Sequence, residues 1–428
     1  MTKIYFQTHG CSTNQSESEI MMGLLQKANF DIVDKPINAD ILVINICTVK
    51  GEGTALRHIN KLSEEFSDKK LIVAGCLTRG ILEDVRETKE NISFISTHNI
   101  KSIVEVVEEV LNDNVIAATG KDEYEKINLP KVRKNPVVGI IPILNSCAGY
   151  CSYCSVKYVK GKLLSYNMQD IEQEAIRSLN DGCKELWVTS QDNAAYMLDK
   201  GSVTRLPGLI ENICNIDKKF FLRIGMMNPT HLLDVLPEMI DVYKSDKVFK
   251  FLHLPIQSGN NEILKLMKRQ YTVDDFKDTI NKFRSKIPNL TISTDIIVGF
   301  PTETEEQFND SLNLIKEIKP DVLNISRFQA RRGTEAAKMD GQIHGRDTKE
   351  RSRILTEVFI NIARMNNEKW LDWEGEILID EKGKHDTFVG RNFAYRPVIV
   401  AGDVKLGDYV KVKIKNITPY DLRGEIIY

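Results

Sequence analysis

The sequence predicts an α/β protein in three parts: an amino-terminal open parallel sheet domain, a central partial β/α barrel and a small carboxy-terminal β-barrel. Three observations support this fold class. Strand and helix signals alternate at the start of the 428-residue chain, and six further strand-like runs alternate with helices in its middle. Short strand-like runs with glycine turns then fill about the last sixty residues. We expect the domains at 1–125, 133–365 and 368–428.

The composition indicates a folded protein without a strong overall charge. Hydrophobic residues make up 42% and charged residues 28% of the chain, which excludes disordered and low-complexity classes. Lysine and arginine number 58 against 60 aspartate and glutamate, so a nucleic-acid partner would need a local basic patch. No apolar run reaches the roughly 18 residues of a membrane span, and the amino end lacks a signal-peptide core. We therefore expect a cytoplasmic protein with no membrane partner.

The first domain shows the alternation typical of an open parallel sheet. Its expected strands are 3–7, 40–46 and 70–74. Its expected helices are 16–27, 54–66 and 100–111. A polar stretch at 121–135 then marks a domain boundary.

Alternation resumes in the second domain, where six strand units suggest a partial or complete β/α barrel. The expected strands are 137–143, 185–189, 220–224, 249–255, 290–298 and 322–327. A long amphipathic helix at 348–370 leads into the last domain. The expected strands of that small barrel are 374–380, 387–391, 396–400, 409–416 and 421–427.

Eight cysteines in a reducing compartment are candidate metal ligands before they are candidate disulfides. Cys11, Cys47 and Cys76 each follow closely on a strand of the first domain. Because the carboxyl ends of parallel strands meet at one edge, these residues can converge on one site. Each of them alone could equally be a buried small hydrophobe. Cys183 and Cys214 are expected in the core.

A compact second group of cysteines follows the first strand of the barrel. Cys147, Cys151 and Cys154 have the spacing C-x-x-x-C-x-x-C. Three thiolates on one loop can hold three corners of a [4Fe–4S] cubane, which leaves one iron open. Zinc is an alternative, since Cys183 could complete a tetrahedral site, and an incidental cluster of buried thiols is another.

This loop, with an aromatic residue before its third cysteine, resembles the signature of the radical S-adenosylmethionine enzymes. The resemblance implies that S-adenosylmethionine chelates the open iron through its amino and carboxylate groups. It also implies reductive cleavage of that molecule to a 5′-deoxyadenosyl radical. By the same resemblance Tyr153 borders the adenine, with ordinary core packing as the alternative.

The order of the two cysteine groups and the terminal barrel resembles the methylthiotransferase family over essentially the whole chain. Further stretches that agree with it are 189–196, 252–269, 294–303 and 331–334. The resemblance implies an auxiliary [4Fe–4S] cluster held by Cys11, Cys47 and Cys76. Gln191, Gln257 and Ser258 are candidates for binding S-adenosylmethionine, and the alternative is that they are satisfied polar groups at strand ends.

Residues 8–19, Thr-His-Gly-Cys-Ser-Thr-Asn-Gln-Ser-Glu-Ser-Glu, look most like the archaeal and eukaryotic branch that acts on N6-threonylcarbamoyladenosine beside the tRNA anticodon. In that branch one S-adenosylmethionine methylates a sulfur on the auxiliary cluster. A second one yields the radical that leads to hydrogen loss from C2 of the adenine, where the methylthio group is transferred. The implied partners are this tRNA and an electron donor such as ferredoxin or flavodoxin, and the sulfur donor is open.

Three other functions compete with this one. Within the family, the substrate could be isopentenyladenosine in tRNA or an aspartate of a ribosomal protein. Outside it, the chain could be a non-enzymatic RNA-binding protein stabilised by zinc at its cysteines. Iron and acid-labile sulfide would separate the enzymes from the zinc protein.

The terminal barrel resembles the small TRAM domain, an RNA-binding module of RNA-modifying enzymes. Such barrels bind phosphates with basic side chains and bases with aromatic faces. The candidates for RNA contact are Arg391, Arg396, Lys411 and Lys413, together with Phe393, Tyr395 and Lys415. A structural cap is the alternative for the whole domain.

One position departs from the family pattern. Lys160 precedes Gly161 where many relatives have arginine, and lysine keeps the charge but loses the bidentate fork. The run around it could contact a phosphate or carboxylate, or could be a plain solvated face.

Overall fold

The computed structural model describes residues 1–48, 51–89, 91–122 and 124–427. The strands of the first domain are β1 (Lys3–His9), β2 (Asp31–Val33), β3 (Ile41–Ile46), β4 (Lys70–Gly75), β5 (Ile92–Ser96) and β6 (Ala117–Ala118). Its helices are α1 (Ser12–Lys27), α2 (Glu52–Glu65), α3 (Arg79–Thr88) and α4 (Ile103–Leu111). The open parallel sheet is confirmed, with strand order β2-β1-β3-β4-β5-β6 and parallel pairing throughout.

The centre of this sheet is apolar on both faces. Every residue of β3 is buried, which is the pattern of a strand covered by helices on each side. Helices α1 and α4 cover one face and α2 and α3 cover the other. In the register of the central strands, His9 of β1 lies opposite Ile46, which lies opposite Gly75 of β4. The three strands therefore end side by side.

Helix α1 begins at Ser12, so the expected start at 16 is wrong. Its first turns are polar, and a polar run reads as a loop. In the structure Asn14, Ser16 and Glu17 are buried, since Asn14 hydrogen-bonds Asn45 near a strand end and Glu17 pairs with Lys160 of the barrel. The sequence analysis also did not predict β2, β5 and β6, two of which are strands of three residues or fewer.

The second domain contains β7 (Val138–Pro142), β8 (Leu144–Asn145), β9 (Leu164–Ser165), β10 (Glu185–Thr189), β11 (Phe221–Ile224), β12 (Phe251–His253), β13 (Thr291–Val298) and β14 (Val322–Arg327). Its helices are α5 (Val156–Lys160), α6 (Met168–Asn180), α7 (Leu206–Cys214), α8 (Pro229–Leu232), α9 (Leu236–Val242), α10 (Asn261–Leu266), α11 (Val273–Lys286), α12 (Glu305–Ile318) and α13 (Gly345–Glu368). Capping boxes at Thr272 and Thr304 fix the starts of α11 and α12.

The partial barrel is confirmed. Its strands form two parallel sheets, β11-β10-β7 and β12-β13-β14. A parallel bridge between Leu222 and Val248 joins the two sheets at their inner edges, so the strands follow chain order around an open barrel. The core between these strands and the surrounding helices is the largest apolar cluster of the described residues.

The last domain is a closed barrel with strand order β15-β16-β17-β19-β18. Its strands are β15 (Glu374–Lys382), β16 (Thr387–Arg391), β17 (Pro397–Ala401), β18 (Tyr409–Ile417) and β19 (Leu422–Ile426). In the part of the chain that the structure describes, no helix combines the length and the apolar character needed to cross a membrane.

The turn at 392–396 docks the last domain against the amino-terminal ends of the barrel strands. The carbonyl oxygen of Phe393 accepts a hydrogen bond from the backbone of Lys250 at 2.8 Å. The Ala394 carbonyl oxygen accepts one from Thr291 Oγ1 at 2.7 Å. Tyr395 packs edge-on to Phe249, with ring centroids 4.8 Å apart. The last domain therefore plugs the barrel at the end opposite the cysteines.

This docking corrects part of the predicted RNA-contact set. Arg396 is 4% exposed, and its guanidinium pairs with Asp321 at 3.2 Å and hydrogen-bonds Asn367. Arg391 pairs with the buried Asp380 at 3.1 Å and lies over Tyr395. Arg396 thus holds the domain junction and Arg391 is paired within its own barrel, so both guanidinium groups are already engaged by protein carboxylates.

Glu185 lies buried at this junction, where its side chain accepts a hydrogen bond from the indole of Trp187. Burial, and then the neighbouring Asp380, raise the pKa of Glu185 from 4.5 to about 7. Between these two values the folded protein holds a proton that the unfolded chain releases. The stability contributed by this group is therefore present at low pH and is lost as the pH rises towards 7.

We expect Glu185→Gln to flatten this dependence, because the amide keeps an acceptor for Trp187 and carries no charge. At pH 8 the variant should be more stable than the parent by roughly 1–3 kcal/mol, and near pH 4 the two should be equal. Melting temperatures measured from pH 4 to pH 8 check this. Parallel pH profiles for the two proteins would contradict it.

Candidate functional site

The separated cysteines converge at the carboxyl edge of the first sheet. Cys11 is the residue before α1, while Cys47 and Cys76 directly follow β3 and β4. Cys47 lies within hydrogen-bond distance of both other thiols. Cys11 is exposed, whereas the other two are 5% exposed. Residues 65 positions apart in sequence thus form one thiol cluster, which we call the first cluster.

Two buried amides form the floor of the first cluster. Asn14 Oδ1 accepts a hydrogen bond from the Cys11 thiol at 3.3 Å, and its Nδ2 donates to Asn45 Oδ1 at 3.0 Å. Asn45 returns a hydrogen bond from Nδ2 to the Asn14 carbonyl oxygen at 2.9 Å. The sequence analysis did not select Asn45. An amide within the otherwise apolar Ile-Leu-Val-Ile-Asn-Ile strand was the signal that could have identified it.

A buried lysine from the barrel polarises this cluster. The hydrogen bond with Cys47 lowers the pKa of Cys11 against the effect of burial, and the ammonium of Lys160 lowers it further. The pKa of Cys76 is lowered for the same reasons in the same order. The pKa of Cys47 is raised, because it shares hydrogen bonds with both neighbours. The surroundings therefore favour the thiolate form of Cys11 and Cys76, and thiolate is the form that ligates metals.

The compact triplet, Cys147, Cys151 and Cys154, forms the second cluster on the loop after β8. The backbone N–H of Gly149 donates to Cys147 Sγ at 3.2 Å. A Cβ atom at Gly149 would lie 3.5 Å from Cys147 Sγ and 3.7 Å from Cys151 Sγ. Both sulfurs therefore border the space beside this glycine, a cradle that a side chain would fill.

Arg269 and Ser152 fix this loop in place. Arg269 Nη1 donates to Cys151 Sγ at 3.3 Å, and its Nε donates to the Tyr271 hydroxyl at 2.8 Å. Ser152 Oγ donates to the carbonyl oxygen of Leu266 at 2.7 Å. The sequence analysis quoted Arg269 within a family stretch without assigning it a role. Its contact with a cysteine sulfur adds a positive charge beside the second cluster.

The zinc alternative that recruits Cys183 does not fit the structure. Cys183 precedes β10, whereas Cys147 follows β7, and these strands pair in parallel from Glu185 opposite Val138 to Thr189 opposite Pro142. The two cysteines thus lie at opposite ends of the sheet. Among the described residues, no three His, Cys, Asp or Glu side chains form a ready site for a single metal ion. Two sets of three thiol donors instead fit iron–sulfur ligation.

The two clusters meet across the interface between the first domain and the barrel mouth. Helix α5, which starts two residues after Cys154, carries Val159 onto Cys47 and Cys76. His98 of the first domain hydrogen-bonds the Val159 carbonyl oxygen through Nε2 at 2.8 Å. The loop that presents the second cluster therefore also covers the first.

Beneath α5 lies a buried charge network. Glu17 Oε1 accepts hydrogen bonds from Lys126 at 2.7 Å, from Lys160 at 2.9 Å and from the Thr97 hydroxyl at 2.6 Å. Burial opposes ionisation of Glu17, but the two lysines outweigh it and lower its pKa to about 2. Burial lowers the pKa of Lys126 to about 8. Lys160 is therefore neither a solvated group nor a phosphate ligand.

The candidate cofactor residues have different surroundings. Gln191 follows β10, and its Nε2 donates to Thr13 Oγ1 of the first domain at 3.4 Å. Its Oε1 is buried with no hydrogen-bond partner among the described residues, which leaves an acceptor for a bound molecule. Ser258 is fully buried, and its Oγ accepts a hydrogen bond from the backbone of Asn260, which satisfies it locally.

Gln257 and Tyr153 are held by backbone hydrogen bonds and by apolar packing, respectively. Gln257 has a positive φ of 74° and its backbone hydrogen-bonds β13 on both sides. Tyr153 packs against the apolar cluster around Phe300, and burial raises its pKa well above the ordinary value. The phenol is therefore neutral.

A cavity of about 290 Å³ adjoins the second cluster. Its lining combines the backbone of the cysteine loop with the side chains of Asn228, Thr230, His231, Lys265, Lys268, Arg269 and Gln270. His231 is oriented by Asp192, with 2.7 Å between Nδ1 and Oδ2. The basic side chains around this cavity favour an anionic group beside Cys151.

We expect Gly75→Ala to disrupt the first cluster. Gly75 has φ +103°, and an added Cβ would lie 2.5 Å from the Ile46 carbonyl oxygen and closer still to Asn45 Oδ1. The cost should be at least about 2 kcal/mol of stability, since strain and overpacking act together. Melting temperature and thiol accessibility measure it. Gly208→Ala, within helix α7 and with nothing inside 4 Å, is the matched control: it should leave thiol accessibility unchanged and raise stability by no more than about 1 kcal/mol.

Comparison with known families identifies all three parts of the chain. Residues 3–97 match a family described as Uncharacterized protein family UPF0004, residues 141–315 match the Radical SAM superfamily and residues 374–427 match the TRAM domain.

Two solved structures share the fold of this chain at 9–13% identity. The radical S-adenosylmethionine methyltransferase TsrM from Kitasatospora setae has a TM-score of 0.54 and covers 76% of this chain and 75% of its own. The cobalamin-dependent S-adenosylmethionine radical enzyme OxsB also has a TM-score of 0.54 and covers 82% and 56%.

Curated relatives match the chain along its whole length. A probable threonylcarbamoyladenosine tRNA methylthiotransferase from Archaeoglobus fulgidus is 39% identical, over 99% of this chain and 98% of the relative. Its counterpart in Pyrococcus horikoshii is 38% identical over 100% of both chains. The threonylcarbamoyladenosine tRNA methylthiotransferase of Homo sapiens is 34% identical over 99% of this chain and 74% of the human protein. The central domain of this chain is a radical S-adenosylmethionine domain, and the chain as a whole belongs to the threonylcarbamoyladenosine tRNA methylthiotransferase family.

Proposed function

We propose that this enzyme transfers a methylthio group to C2 of N6-threonylcarbamoyladenosine next to the anticodon of tRNA, giving 2-methylthio-N6-threonylcarbamoyladenosine. One observation carries the proposal beyond the family relationship. Val159, on the segment that follows the second cluster, packs on Cys47 and Cys76 of the first. Two chemically distinct sulfur sites next to one another are what joint action on a single adenine requires.

We assign the second cluster to a [4Fe–4S] centre with S-adenosylmethionine and the first cluster to an auxiliary [4Fe–4S] centre. When bound, these groups would supply radical formation and carry the sulfur that is transferred. A radical is needed because an aromatic C–H offers no acidic proton to a general base. The chain supplies ligands and orientation. Cys147, Cys151 and Cys154 hold one centre, and Cys11, Cys47 and Cys76 hold the other.

The remaining residues position these groups and restrict access of water. Gln191 offers its free buried Oε1 to S-adenosylmethionine, and Tyr153 and Gln257 shape the adenosine side of that site. We leave Ser258 out, because its hydroxyl is satisfied within its own turn. Arg269 holds Cys151 through the Nη1 contact, which fixes the loop in the absence of substrate.

The domain roles follow this division. Residues 1–125 provide the auxiliary site, 133–365 form the radical S-adenosylmethionine core and 368–428 form the RNA-binding barrel. Tyr150, on the loop of the second cluster, is 74% exposed, so an external electron donor such as ferredoxin or flavodoxin can approach there.

In this proposal, two lysines of β18 contact the RNA. Lys411 is exposed and has no ion pair among the described residues. Lys413 is 31% exposed and pairs with Glu374 at 2.9 Å, a contact that phosphate can displace.

Two cysteine variants test the two-site reaction. Cys151→Ala should abolish formation of 5′-deoxyadenosine, whereas Cys47→Ala should retain it and abolish methylthio transfer, since each removes one ligand from a different centre. Nucleoside mass spectrometry of tRNA from a gene-deleted host, complemented with each variant, should show threonylcarbamoyladenosine without its methylthio derivative. Cys214→Ala, outside both clusters, should restore the product to within about twofold of the parent.

Loss of cleavage in both cysteine variants would contradict separate sites. If the deletion instead removed the methylthio group from isopentenyladenosine or from a ribosomal-protein aspartate, the proposed substrate would be replaced. Zinc without iron or sulfide in the purified protein would overturn both assignments.

A second pair of variants tests the RNA surface. Lys411→Ala should weaken tRNA binding and reduce the slope of log affinity against log salt by about one, with unchanged stability. Arg396→Ala should instead destabilise the fold by roughly 2–4 kcal/mol, because it removes the close partner of the buried Asp321 and leaves only the longer contact with Lys369 at 3.9 Å. Filter binding across salt concentrations and thermal unfolding measure the two effects. Lys316→Ala, on the exposed face of α12, is the neutral control, and an equal loss of affinity there would contradict a specific role for Lys411.

A further inference from the structure

The network under α5 contains two lysines and one carboxylate. Lys126 and Lys160 both donate to the same oxygen of Glu17 and to the same hydroxyl of Thr97. The three charged side chains are only 2–4% exposed. With both lysines protonated, this sealed group carries one positive charge more than its carboxylate can balance.

A buried surplus charge is costly unless an opposite charge lies nearby. Lys160 directly follows Val159, which packs on Cys47 and Cys76 of the first cluster. After Glu17, the thiols of Cys76 and Cys11 are the acidic groups that act most strongly on its ammonium. No other carboxylate among the described residues pairs with either lysine. The compensating charge therefore belongs to the first cluster.

Lys160 and the cysteines of the first cluster belong to different domains. Glu17 lies six residues after Cys11 in the first domain, while Lys160 lies six residues after Cys154 in the barrel. The backbone of Lys160 is fixed as well, because its carbonyl oxygen accepts a hydrogen bond from Asn145 at 2.9 Å. The barrel thus delivers a rigidly held ammonium to a site whose ligands all come from the other domain.

The charge of a [4Fe–4S] centre with three cysteine ligands matches the extra positive charge of the two buried lysines. A [4Fe–4S] centre in its common oxidised state carries two positive charges, so three cysteine thiolates make it singly negative, and reduction adds a further negative charge. Cluster potentials depend on net charge and on nearby charges. A fixed cation at this position stabilises the reduced state more than the oxidised one.

We propose that Lys160, which belongs to the second domain of the same chain, is the counter-ion of the auxiliary cluster held by the first domain. We propose that it raises the reduction potential of that cluster. The inference rests on the proposed function, in which the first cluster holds a [4Fe–4S] centre. Lys160 is a positioning residue here, because it acts through the cluster and touches no substrate. Glu17 and Thr97 hold its ammonium in place.

The test uses the full chain with Cys147, Cys151 and Cys154 all changed to Ala, so that only the auxiliary cluster can form. Iron analysis of this protein comes first: about four irons per chain are expected, as one cubane requires. Absence of iron would refute the auxiliary cluster itself, and with it the proposed function, before Lys160 is examined.

Lys160→Met is then introduced into that protein, and the reduced fraction is measured by electron paramagnetic resonance at fixed potentials. We expect the ratio of reduced to oxidised cluster to fall about tenfold, a shift of about 59 mV for one electron. Lys160→Arg should keep the parent ratio within about threefold, since it restores the charge. Loss of iron from the Met variant with retention in the Arg variant would also support the proposal, because it shows that the charge retains the cluster.

Lys131→Met is the matched control. Lys131 is equally buried and pairs with Glu174 at 2.7 Å, but it lies against β7 and not against the first cluster. An unchanged ratio in Lys160→Met would overturn the proposal. So would an equal fall in Lys131→Met, or equal loss of iron from the Met and Arg variants at position 160, since these outcomes show a structural effect without a charge effect.

Discussion

The ion pair between Glu17 and Lys160 is the contact on which the functional architecture depends. It joins the carboxyl edge of the first sheet to the barrel mouth at a point where neither side chain can reach water. A buried pair of this kind contributes little net stability compared with apolar packing, but breaking it leaves a stranded charge. It therefore permits one docking arrangement of the two domains and penalises others. The contact of Val159 with Cys47 and Cys76 follows from that arrangement.

The opposite end of the barrel is closed by the last domain, and the two ends carry out different tasks. Tyr395 lies between the guanidinium groups of Arg223 and Arg391, at 5.1 and 4.9 Å, with Phe249 and Phe251 beside it. This junction combines aromatic and cationic groups with the buried carboxylates of Glu185, Asp321 and Asp380. The last domain is thus fixed relative to the cysteines, which lie at the other end of the barrel strands.

The fold class and the two cysteine groups could be predicted from sequence because they depend on local patterns. Strand periodicity locates the ends of β1, β3 and β4, and the parallel topology then brings Cys11, Cys47 and Cys76 together. The roles of Arg391 and Arg396 could not be predicted this way, since arginine and aromatic residues on a small barrel suit RNA contact and domain docking equally. Burial decides between the two, and burial here depends on contacts made across the domain junction.

The charge network was hidden for a related reason. Glu17 and Lys126 are 109 residues apart and Glu17 and Lys160 are 143 apart, so no spacing rule connects them. Each alone resembles a charge on a solvated helix face. Both lysines use Glu17 Oε1, while Oε2 is buried without a hydrogen-bond partner among the described residues. A guanidinium can reach both oxygens of a carboxylate, so arginine would satisfy the second one, whereas lysine supplies the charge alone. At position 160 the cation is therefore held through a single oxygen of Glu17.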